Sequence, residues 1–557
     1  MNFQTEVRLV PTGVVAGEAG VRTVAPGFSR GFVSFLILRA RVAGDREGLT
    51  PVRAGSKTCW AAVIVTLLFA ANAYAGSRVT ATHAALATSS PVATRIGLSV
   101  LKEGGNAIDA AVAVSFALAV LEPKATGLGG GGFLTYYDAE SGGIWTLDFR
   151  ETAPAAAKRS AGNAAFSGAS AAAVPGFVAG LDAMHSRFGS RPWRELVAPA
   201  QRLAKDDLAK TLLRISEQGA RDFYDGELAN KLVEAVRAAG GVFSFHDLRD
   251  YKPIWRAPVR ITFRGADIYT VAPPAAGGLV IGSILKIING FDGRGPNSPG
   301  RPASLESPAY LHLLVEAERR AAIDRDRYLS DPAEGRVPVH ELLSDERAAL
   351  WRASIDPNRV TPTAALAEPG AATPQSVHTT HVSIIDTHGN VVSLTTSIGE
   401  EGAGGFTVPG LGVPLNGAMN DFSSPSSPAN SVAGGNRPAS PLSPVIVLRG
   451  GKPVLAIGTS GGAAISTTIA QILLDMLVFN RTLTEAVAAP RWSQQATPEE
   501  IAYEQGRAPQ ATVDALLALG HGVRARESIG DVQAVSIDGK KLLAISDARH
   551  GGAAGGY

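Results

Sequence analysis

The spacing of apolar positions along this chain changes several times between a helical and a strand period. From Ala93 to Val120 apolar residues recur every three or four positions, with a break at Gly104 and Gly105, which predicts two helices. The second, within NAIDAAVAVSFALAVLEP, is apolar on nearly every side, so we expect it to be buried. More helical periods follow between Val178 and Asp356, and strand-like alternation interrupts them in VRITFRGADIYTVAP.

Strand-like stretches elsewhere come in pairs joined by short turns. Turns are predicted at Ser-Gly-Gly in FLTYYDAESGGIWTLDF, at His-Gly-Asn in HVSIIDTHGNVVSLTTS, and at Gly-Gly in PVIVLRGGKPVLAIGTSG, and each is typical of a hairpin. A helix is predicted in AAISTTIAQILLDMLVF, and another strand pair in VQAVSIDGKKLLAISDAR. Helices alternating with hairpin-connected strands favour an α/β layered domain, in which helices cover antiparallel sheet.

Composition narrows the class of protein. The 557 residues carry a formal net charge of +2, with 45% hydrophobic and 18% charged residues, a globular profile long enough for one large or two medium cores. The near-zero charge gives no support for nucleic-acid binding, which needs a concentrated basic face. Cys59 is the single cysteine, so no intramolecular disulfide forms.

Residues 52–75 have the features of a secretory signal. A lysine precedes an apolar run in KTCWAAVIVTLLFAANAYAG, which ends in the small-residue pattern Ala-Tyr-Ala before Gly76. The run is too short to span a bilayer comfortably, and a buried helix would not explain its small-residue ending. We therefore predict a periplasmic or secreted protein without a stable membrane anchor. Residues 1–51 are an uncertain extension, and the pattern favours a true start near Val52.

The hairpin that begins at Thr379 carries a candidate nucleophile. A threonine hydroxyl needs a base, and the α-amine of the same residue can serve once it is a chain terminus. Cleavage between His378 and Thr379 would create that terminus where a Pro-, Ala- and Thr-rich loop enters a strand, without disturbing the core. Threonine is also common in strands, so this stretch alone favours a structural role.

Several segments, taken in order, resemble the gamma-glutamyltranspeptidase family over about Val79 to Tyr557. They are LKEGGNAIDAAVAVSFALAVLEP with GLGGGGF, DFRETAP, TTHVSIIDTHGNVVSLTTS, NGAMNDFS, RPASPLSP followed by GTSGGAAI, and SDARHGGAAGGY. The resemblance implies the N-terminal nucleophile hydrolase fold, an α-β-β-α sandwich. It also implies a precursor that cuts itself into a large chain, 76–378, and a small catalytic chain, 379–557, which remain together as a heterodimer.

The resemblance assigns catalytic roles to four residues. Thr379 matches the family nucleophile, and Ser397 stands where the family has a second threonine that supports it. Gly461 and Gly462 match the oxyanion-hole pair, which requires two backbone N–H groups aimed at a developing negative oxygen. The alternative for the glycines is a simple strand-to-helix turn, and a helix N-terminus also favours an anion.

Three more residues match family groups that hold the donor substrate. Arg150 matches the arginine that pairs with the α-carboxylate, and a guanidinium fork suits a carboxylate. Ser440 matches a serine that hydrogen-bonds the same carboxylate, and Asp421 matches the acid that holds the α-amino group. The alternative for each is a polar residue at a loop or strand edge.

The chain departs from the family pattern at Gly399, Ala418 and Pro441, where the family usually has an asparagine, a Gln or Glu, and a second serine. Each missing charge-assisted hydrogen bond weakens binding by about 1.5–3 kcal/mol. Either Glu400 and Glu401 supply new partners for an ammonium group, or the site accepts acyl groups that lack one. Both glutamates are equally well explained as solvated loop charges.

Two glycine- or proline-rich segments bear on the shape of the site. The stretch from Asp421 to Ser440 is short and contains no aromatic beyond Phe422, so we expect an open pocket without an aromatic lid. The run Gly129–Gly132 lacks a nucleotide-binding pattern, so we interpret it as a structural loop.

No cofactor is predicted, and His381 and His388 straddle a hairpin instead of sharing a metal-binding face.

The function predicted from these residues is cleavage of a γ-glutamyl amide, in glutathione or a related compound, through an acyl-enzyme on Thr379. The acyl group then passes to water or to the amine of an amino acid or peptide. One alternative is a cephalosporin- or glutaryl-type acylase on the same fold. Another is an uncleaved, non-catalytic binding relative, against which the retention of Thr379, Arg150 and Asp421 argues.

Overall fold

A computed structural model of the chain describes residues 76–158, 165–291, 305–366, 379–399, 405–423 and 428–557. The predicted extension and signal, residues 1–75, lie outside the described residues, as do His378, Glu400 and Glu401. Among the described residues, no helix combines the length and the apolar character needed to cross a bilayer.

Two antiparallel sheets of seven strands each form the centre of the molecule. The strands are β1 (Arg78–Ala81), β2 (Ala85–Thr88), β3 (Gly131–Asp138), β4 (Gly143–Asp148), β5 (Ile254–Arg256), β6 (Val259–Phe263), β7 (Ala266–Thr270), β8 (Thr379–Ile385), β9 (Val391–Ser397), β10 (Thr407–Val408), β11 (Val413–Pro414), β12 (Val445–Arg449), β13 (Lys452–Ser460), β14 (Trp492–Gln494), β15 (Glu500–Glu504), β16 (Gly522–Arg526), β17 (Asp531–Asp538), β18 (Lys541–Ser546) and β19 (Ala553–Gly556). The first sheet has the order β1-β18-β17-β13-β12-β7-β6 and the second β19-β2-β8-β9-β3-β4-β5. The strands β14-β15-β16 and β10-β11 form two smaller sheets.

Helices cover the outer faces of both large sheets. They are α1 (Pro91–Lys102), α2 (Ala107–Leu121), α3 (Phe177–Phe188), α4 (Trp193–Leu203), α5 (Asp206–Gln218), α6 (Arg221–Asp225), α7 (Glu227–Ala238), α8 (Phe245–Asp250), α9 (Gly277–Asn289), α10 (Pro308–Tyr328), α11 (Val339–Leu342), α12 (Asp345–Ala353), α13 (Thr363–Leu366), α14 (Ala464–Leu477), α15 (Leu483–Ala488) and α16 (Gln510–Ala518). Helices α2 and α3 pack on the second sheet, α9 and α14 on the first, and the inner faces of the two sheets pack on each other. The predicted α-β-β-α sandwich is confirmed.

The predicted helix break and hairpins are confirmed, with local causes for their positions. Helix α1 ends at Lys102 and α2 begins at Ala107, where the side chain of Asn106 accepts a hydrogen bond from the backbone N–H of Asp109 in a capping box. Every residue of β8 and β9 is buried, because one face of this hairpin meets the first sheet and the other meets helices.

The glycine run 129–132 is only partly the loop that we predicted. Gly131 and Gly132 begin β3 and pair with Ser397 and Thr396 of β9. A Cβ atom on Gly131 would lie 2.7 Å from Oε2 of Glu151, which is closer than any side chain tolerates. Glycine therefore allows β3 to pass between the end of β9 and a buried carboxylate.

Candidate active site

Thr379 is the first residue of β8 and is 6% exposed. The antiparallel register places it opposite Ser397 at the end of β9. Its Oγ1 donates a hydrogen bond to Oγ of Ser397 at 3.3 Å, and Ser397 Oγ also accepts from the backbone N–H of Gly399 at 3.1 Å. The structure thus brings the predicted nucleophile and its predicted supporting hydroxyl into direct contact.

The strand that carries Thr379 is held by a buried histidine two residues along. Side chains at alternate positions of a strand share one face, so Thr379 and His381 both face the first sheet. The His381 ring lies directly over Gly458 of β13, where a Cβ would be 2.3 Å from the ring, and its Nδ1 is 2.8 Å from Oγ1 of Thr395. Burial lowers the pKa of His381 to about 3, so this ring is neutral at physiological pH and serves as a rigid support.

Gly461 and Gly462 form the turn between β13 and α14, as the strand-to-helix interpretation predicted. Their φ angles of 125° and 58° lie in the left-handed region, which favours glycine. Within the described part of the chain, neither backbone N–H donates a hydrogen bond to another protein group. Gly461 lines the same cavity as Thr379, so one backbone N–H without a protein partner lies on the cavity of the predicted nucleophile.

Arg150 is buried between two carboxylates. Its Nη1 donates to Oε2 of Glu151 at 2.6 Å, and its Nη2 donates to Oδ2 of Asp421. Burial disfavours the charged form of Arg150, but the carboxylates of Glu151 and Asp421 raise its pKa overall. The guanidinium is therefore permanently charged, and both of its terminal nitrogens are already engaged.

Glu151 is a residue that the sequence analysis missed, although it directly follows Arg150 in DFRETAP. Its side chain is fully buried, and Oε1 has no partner in another described residue. Burial raises its pKa, against the opposing effect of Arg150. The sequence did offer one signal, since an acidic residue directly follows the arginine that matches the family. Adjacent residues in a strand usually point to opposite faces, so nothing in the sequence indicated that the two side chains pair.

Ser440 lies on the same wall as Arg150 and Asp421. The Arg150 Nε donates to the carbonyl oxygen of Pro438 at 3.4 Å, two residues before Ser440. The side chain of Asn430 donates to the Asp421 carbonyl oxygen at 2.8 Å and accepts from the Ala439 N–H at 2.9 Å. These bonds tie the segments of all three predicted donor-binding residues together.

A cavity of about 1110 Å³ opens on Thr379 and Gly461 from another direction. Its charged lining comprises Glu122, Lys124, Arg325, Glu500, Arg524, Arg526 and Asp531, with His550 beside them. Arg150, Asp421 and Ser440 are not among its lining residues and are at most 5% exposed. The predicted nucleophile therefore lies on an open cavity, whereas the ion-paired wall of Arg150, Glu151 and Asp421 lies outside the lining of that cavity.

The family model described as gamma-glutamyltranspeptidase matches residues 93–206 and 203–557. The chain belongs to the gamma-glutamyltranspeptidase family. A glutathione hydrolase proenzyme of Pseudomonas aeruginosa is 36% identical over 528 residues, which are 84% of this chain and 93% of that protein. One of Escherichia coli strain K12 is 33% identical over 539 residues, 85% of this chain and 91% of that protein.

The fold is also similar to that of a solved structure. The crystal structure of cephalosporin acylase from Bacillus halodurans matches with a TM-score of 0.77 and 25% identity, over 93% of this chain and 99% of that chain. The predicted family and its γ-glutamyl hydrolase/transferase reaction class are confirmed by the family match and the curated relatives. The acylase is a relative in fold.

Two departures from the gamma-glutamyltranspeptidase pattern lie side by side. Gly399 has a φ of 78°, and a Cβ on it would lie 3.2 Å from the Gly417 nitrogen and 3.6 Å from the Ala418 nitrogen. Ala418 is fully buried in a small apolar cluster with Met419 and Phe422. Where the family usually places two polar side chains for an amino group, this chain has a small apolar surface.

Proposed function

We propose that this chain is a self-processing γ-glutamyl hydrolase/transferase whose nucleophile is Thr379. The observation that carries the proposal is the Thr379–Ser397 hydroxyl pair. Thr379 lines the same open cavity as Gly461, and Ser397 pairs with Gly131, on which a Cβ would lie 2.7 Å from Oε2 of Glu151 in the ion-paired wall. In processing, Thr379 Oγ attacks the carbonyl carbon of His378 and displaces the Thr379 nitrogen. Water then hydrolyses the resulting ester, which frees the His378 carboxylate and the Thr379 amine.

In turnover, the freed α-amine of Thr379 takes the proton from its own Oγ, and Oγ attacks the γ-carbonyl carbon of the donor. The N–H groups of Gly461 and Gly462 stabilise the oxyanion, and Ser397 holds the nucleophile's hydroxyl in place. The tetrahedral intermediate collapses as the leaving amine takes the proton from the Thr379 ammonium. Water or a second amine then attacks the acyl-enzyme by the reverse sequence.

Charge counting supports a donor that carries both an α-carboxylate and an α-ammonium. Arg150 is one buried cation with two buried carboxylates, Glu151 and Asp421. A glutaryl group would bring a third anion to this cluster, whereas the α-amino acid head of a γ-glutamyl group adds no net charge. Uncompensated buried charge is costly, so we propose glutathione or another γ-glutamyl compound as the substrate.

A glutaryl- or cephalosporin-type acyl donor is the second candidate. The observation that favours it is the apolar surface at Gly399 and Ala418, together with Pro441, which has neither a hydroxyl nor an N–H. The retained Asp421 argues the other way. Glu400 and Glu401 stay candidates for the missing amino-group ligands.

The proposal includes two chains, residues 76–378 and 379–557, that remain associated as a heterodimer, and export to the periplasm or medium through residues 52–75. Supporting it, Thr379 starts a strand at the centre of the second sheet, between β2 and β9. Separation of the chains would expose the edge of β8 that pairs with β2 of the large chain, together with buried side chains of β8.

One experiment tests the proposal. Residues 76–557 are expressed, separated on a denaturing gel, and assayed with γ-glutamyl and glutaryl p-nitroanilides. We expect two bands, a small chain that begins at Thr379, and hydrolysis of the γ-glutamyl anilide. A single band in an active preparation would refute the mechanism, and faster glutaryl hydrolysis would establish the acylase alternative.

A further inference from the structure

Asp531 is an acid in the open cavity that no part of the proposed mechanism uses. It lies opposite Ser460, the residue before Gly461, in the register of β13 with β17. Gly458 and Gln533 pair two positions further along the same strands. Because the His381 ring lies over Gly458, this face of the sheet is the one that looks toward β8. The Asp531 side chain therefore projects toward the start of β8, where Thr379 lies.

The carboxyl of Asp531 is buried and forms no ion pair with any of the described residues. It is 6% exposed, and its Oδ1 has no hydrogen-bond partner among the described residues. The nearby cation Arg491 is committed to Asp547, with Nη2 to Oδ2 at 2.6 Å. A buried acid with an unused oxygen, on the wall of a cavity, is a site for a ligand donor.

We propose that Asp531 binds the amino group that leaves the donor or attacks the acyl-enzyme, and so selects amine acceptors over water; this rests on the proposed function. Arg524 and Arg526 line the exposed wall of the same cavity. They complement the carboxylate of the same molecule. The acceptor class is therefore a free amino acid or short peptide in its zwitterionic form.

The proton exchange that this role requires is balanced. An acceptor ammonium gives one proton to the Asp531 carboxylate, which yields a neutral amine and a neutral carboxyl. The amine attacks the acyl carbon, and its second proton passes to the Thr379 amine and on to Thr379 Oγ as the ester bond breaks. A leaving amine follows the same path in reverse and departs as an ammonium ion.

The surroundings of Asp531 suit this exchange. Burial raises the pKa of Asp531 to about 8, with further raising by Asp547 and Glu122 and opposing effects of Arg491 and of the neighbouring Gln533 side chain. A peptide α-amine has a pKa of about 7.7–8.0, so proton transfer between the two groups is nearly balanced near neutral pH. Lys124, Arg526 and His550 also face the cavity.

The test is Asp531→Asn in the full processed enzyme, assayed with γ-glutamyl-p-nitroanilide alone and with glycylglycine. We expect kcat/KM for transfer to glycylglycine to fall at least about tenfold, the factor for one charge-assisted hydrogen bond. The hydrolysis rate should fall by less than about threefold, because p-nitroaniline is a weakly basic leaving group and water is the attacking group. The matched control is Asp538→Asn, an exposed carboxylate at the other end of the same strand and outside the cavity, which should alter neither rate.

Each other outcome overturns the inference. Equal losses of transfer and hydrolysis would indicate a structural role for Asp531, and unchanged transfer would exclude amine binding. Absence of hydrolysis in the unmodified enzyme would instead contradict the proposed function.

A second measurement needs no variant and compares two inhibitors of transfer. N,N-dimethylglycylglycine keeps the ammonium, and N-acetylglycine lacks it. The first should inhibit transfer at least about tenfold more strongly than the second. Equal inhibition by the two compounds would contradict the inference even where Asp531→Asn does not fold.

Discussion

The two sides of Thr379 differ in how their charges are satisfied. On the acyl side, Arg150 is enclosed with Glu151 and Asp421, and both of its terminal nitrogens hold a carboxylate. On the amine side, a cavity of about 1110 Å³ carries charges of both signs, and buried Asp531 has an oxygen without a partner. The Arg150 cation is thus paired with carboxylates of the protein itself. The Asp531 carboxyl is instead available to pair with a ligand.

Under the proposed function, this difference predicts a narrower preference for donors than for acceptors. A donor would replace the Arg150–Asp421 contact with its own carboxylate and ammonium, and only a group with both charges at the right separation restores the balance. An acceptor would enter a roomy cavity where one buried acid and exposed arginines suffice. We therefore expect donor specificity to depend mainly on the closed wall.

Thr379→Ala should have the largest effect, because it removes the group that both sides share. We expect one uncleaved chain and no hydrolysis or transfer, since neither the ester nor the acyl-enzyme can form. A denaturing gel and the anilide assay measure this. Thr387→Ala, in the exposed turn of the same hairpin, is the control and should cleave normally. Cleavage of Thr379→Ala would contradict self-processing.

Arg150→Lys should damage only the acyl side. A lysine ammonium keeps the charge but cannot replace the guanidinium fork. We expect normal cleavage and a fall in kcat/KM for γ-glutamyl-p-nitroanilide of about 100-fold, from losses of about 1.5–3 kcal/mol per charge-assisted hydrogen bond. Arg221→Lys, at a side chain that is 83% exposed, should leave the rate unchanged. Equal rates in the two variants would remove Arg150 from the donor site.

Arg150→Ala is a poorer test, and the structure shows why. Removal of the guanidinium would leave Glu151 and Asp421 buried without their cation, which costs about 3–5 kcal/mol of stability. A loss of turnover in Arg150→Ala would therefore combine lost donor binding with a weakened fold. We expect a lower midpoint of thermal unfolding in Arg150→Ala than in Arg150→Lys, which differential scanning calorimetry would detect.

The sequence was enough to predict the layers, the hairpins and the family, because those depend on local period and on ordered motifs. It did not reveal that Arg150 pairs with Glu151, or that Asp531 is buried. Asp531 stands in IGDVQAV, at the polar start of a strand, where a solvated residue is the ordinary expectation. Its burial comes from the approach of β13 and β8, and such tertiary contacts leave no periodic signal.

Gly399→Asn should strengthen donor binding by placing an amide beside Gly417 and Ala418, where the family usually has polar side chains for the amino group. Asparagine tolerates the left-handed backbone better than other residues with a Cβ, and the φ of 78° requires that. We expect KM for the γ-glutamyl anilide to fall about threefold, the net value of a modest hydrogen bond. Gly399→Ala is the control, because it adds the same Cβ, 3.2 Å from the Gly417 nitrogen, without the amide. A KM that changes equally in both variants would show that the amide finds no partner.

The smallest effect on catalysis should come from His381, whose strand supports both sides of Thr379 equally. His381→Gln should change hydrolysis and transfer by the same factor, whereas Asp531→Asn separates them. The clear effect of His381→Gln is on the free energy of unfolding, because burial lowers the pKa of His381 from an ordinary 6.5 to about 3. Protons therefore bind the unfolded chain first, and the stability that this group contributes is lost as pH falls from 6.5 toward 3.

Urea unfolding at pH 7 and pH 5 measures that loss. The free energy of unfolding should fall by about 2 kcal/mol more in the unmodified enzyme than in His381→Gln over this interval, since one proton is worth about 1.4 kcal/mol per pH unit. His388→Gln, an exposed histidine in the same hairpin, should behave like the unmodified enzyme. If both variants show the same pH dependence, the His381 ring is already charged in the folded protein. The interpretation of the His381 ring as a neutral support of β8 would then be wrong.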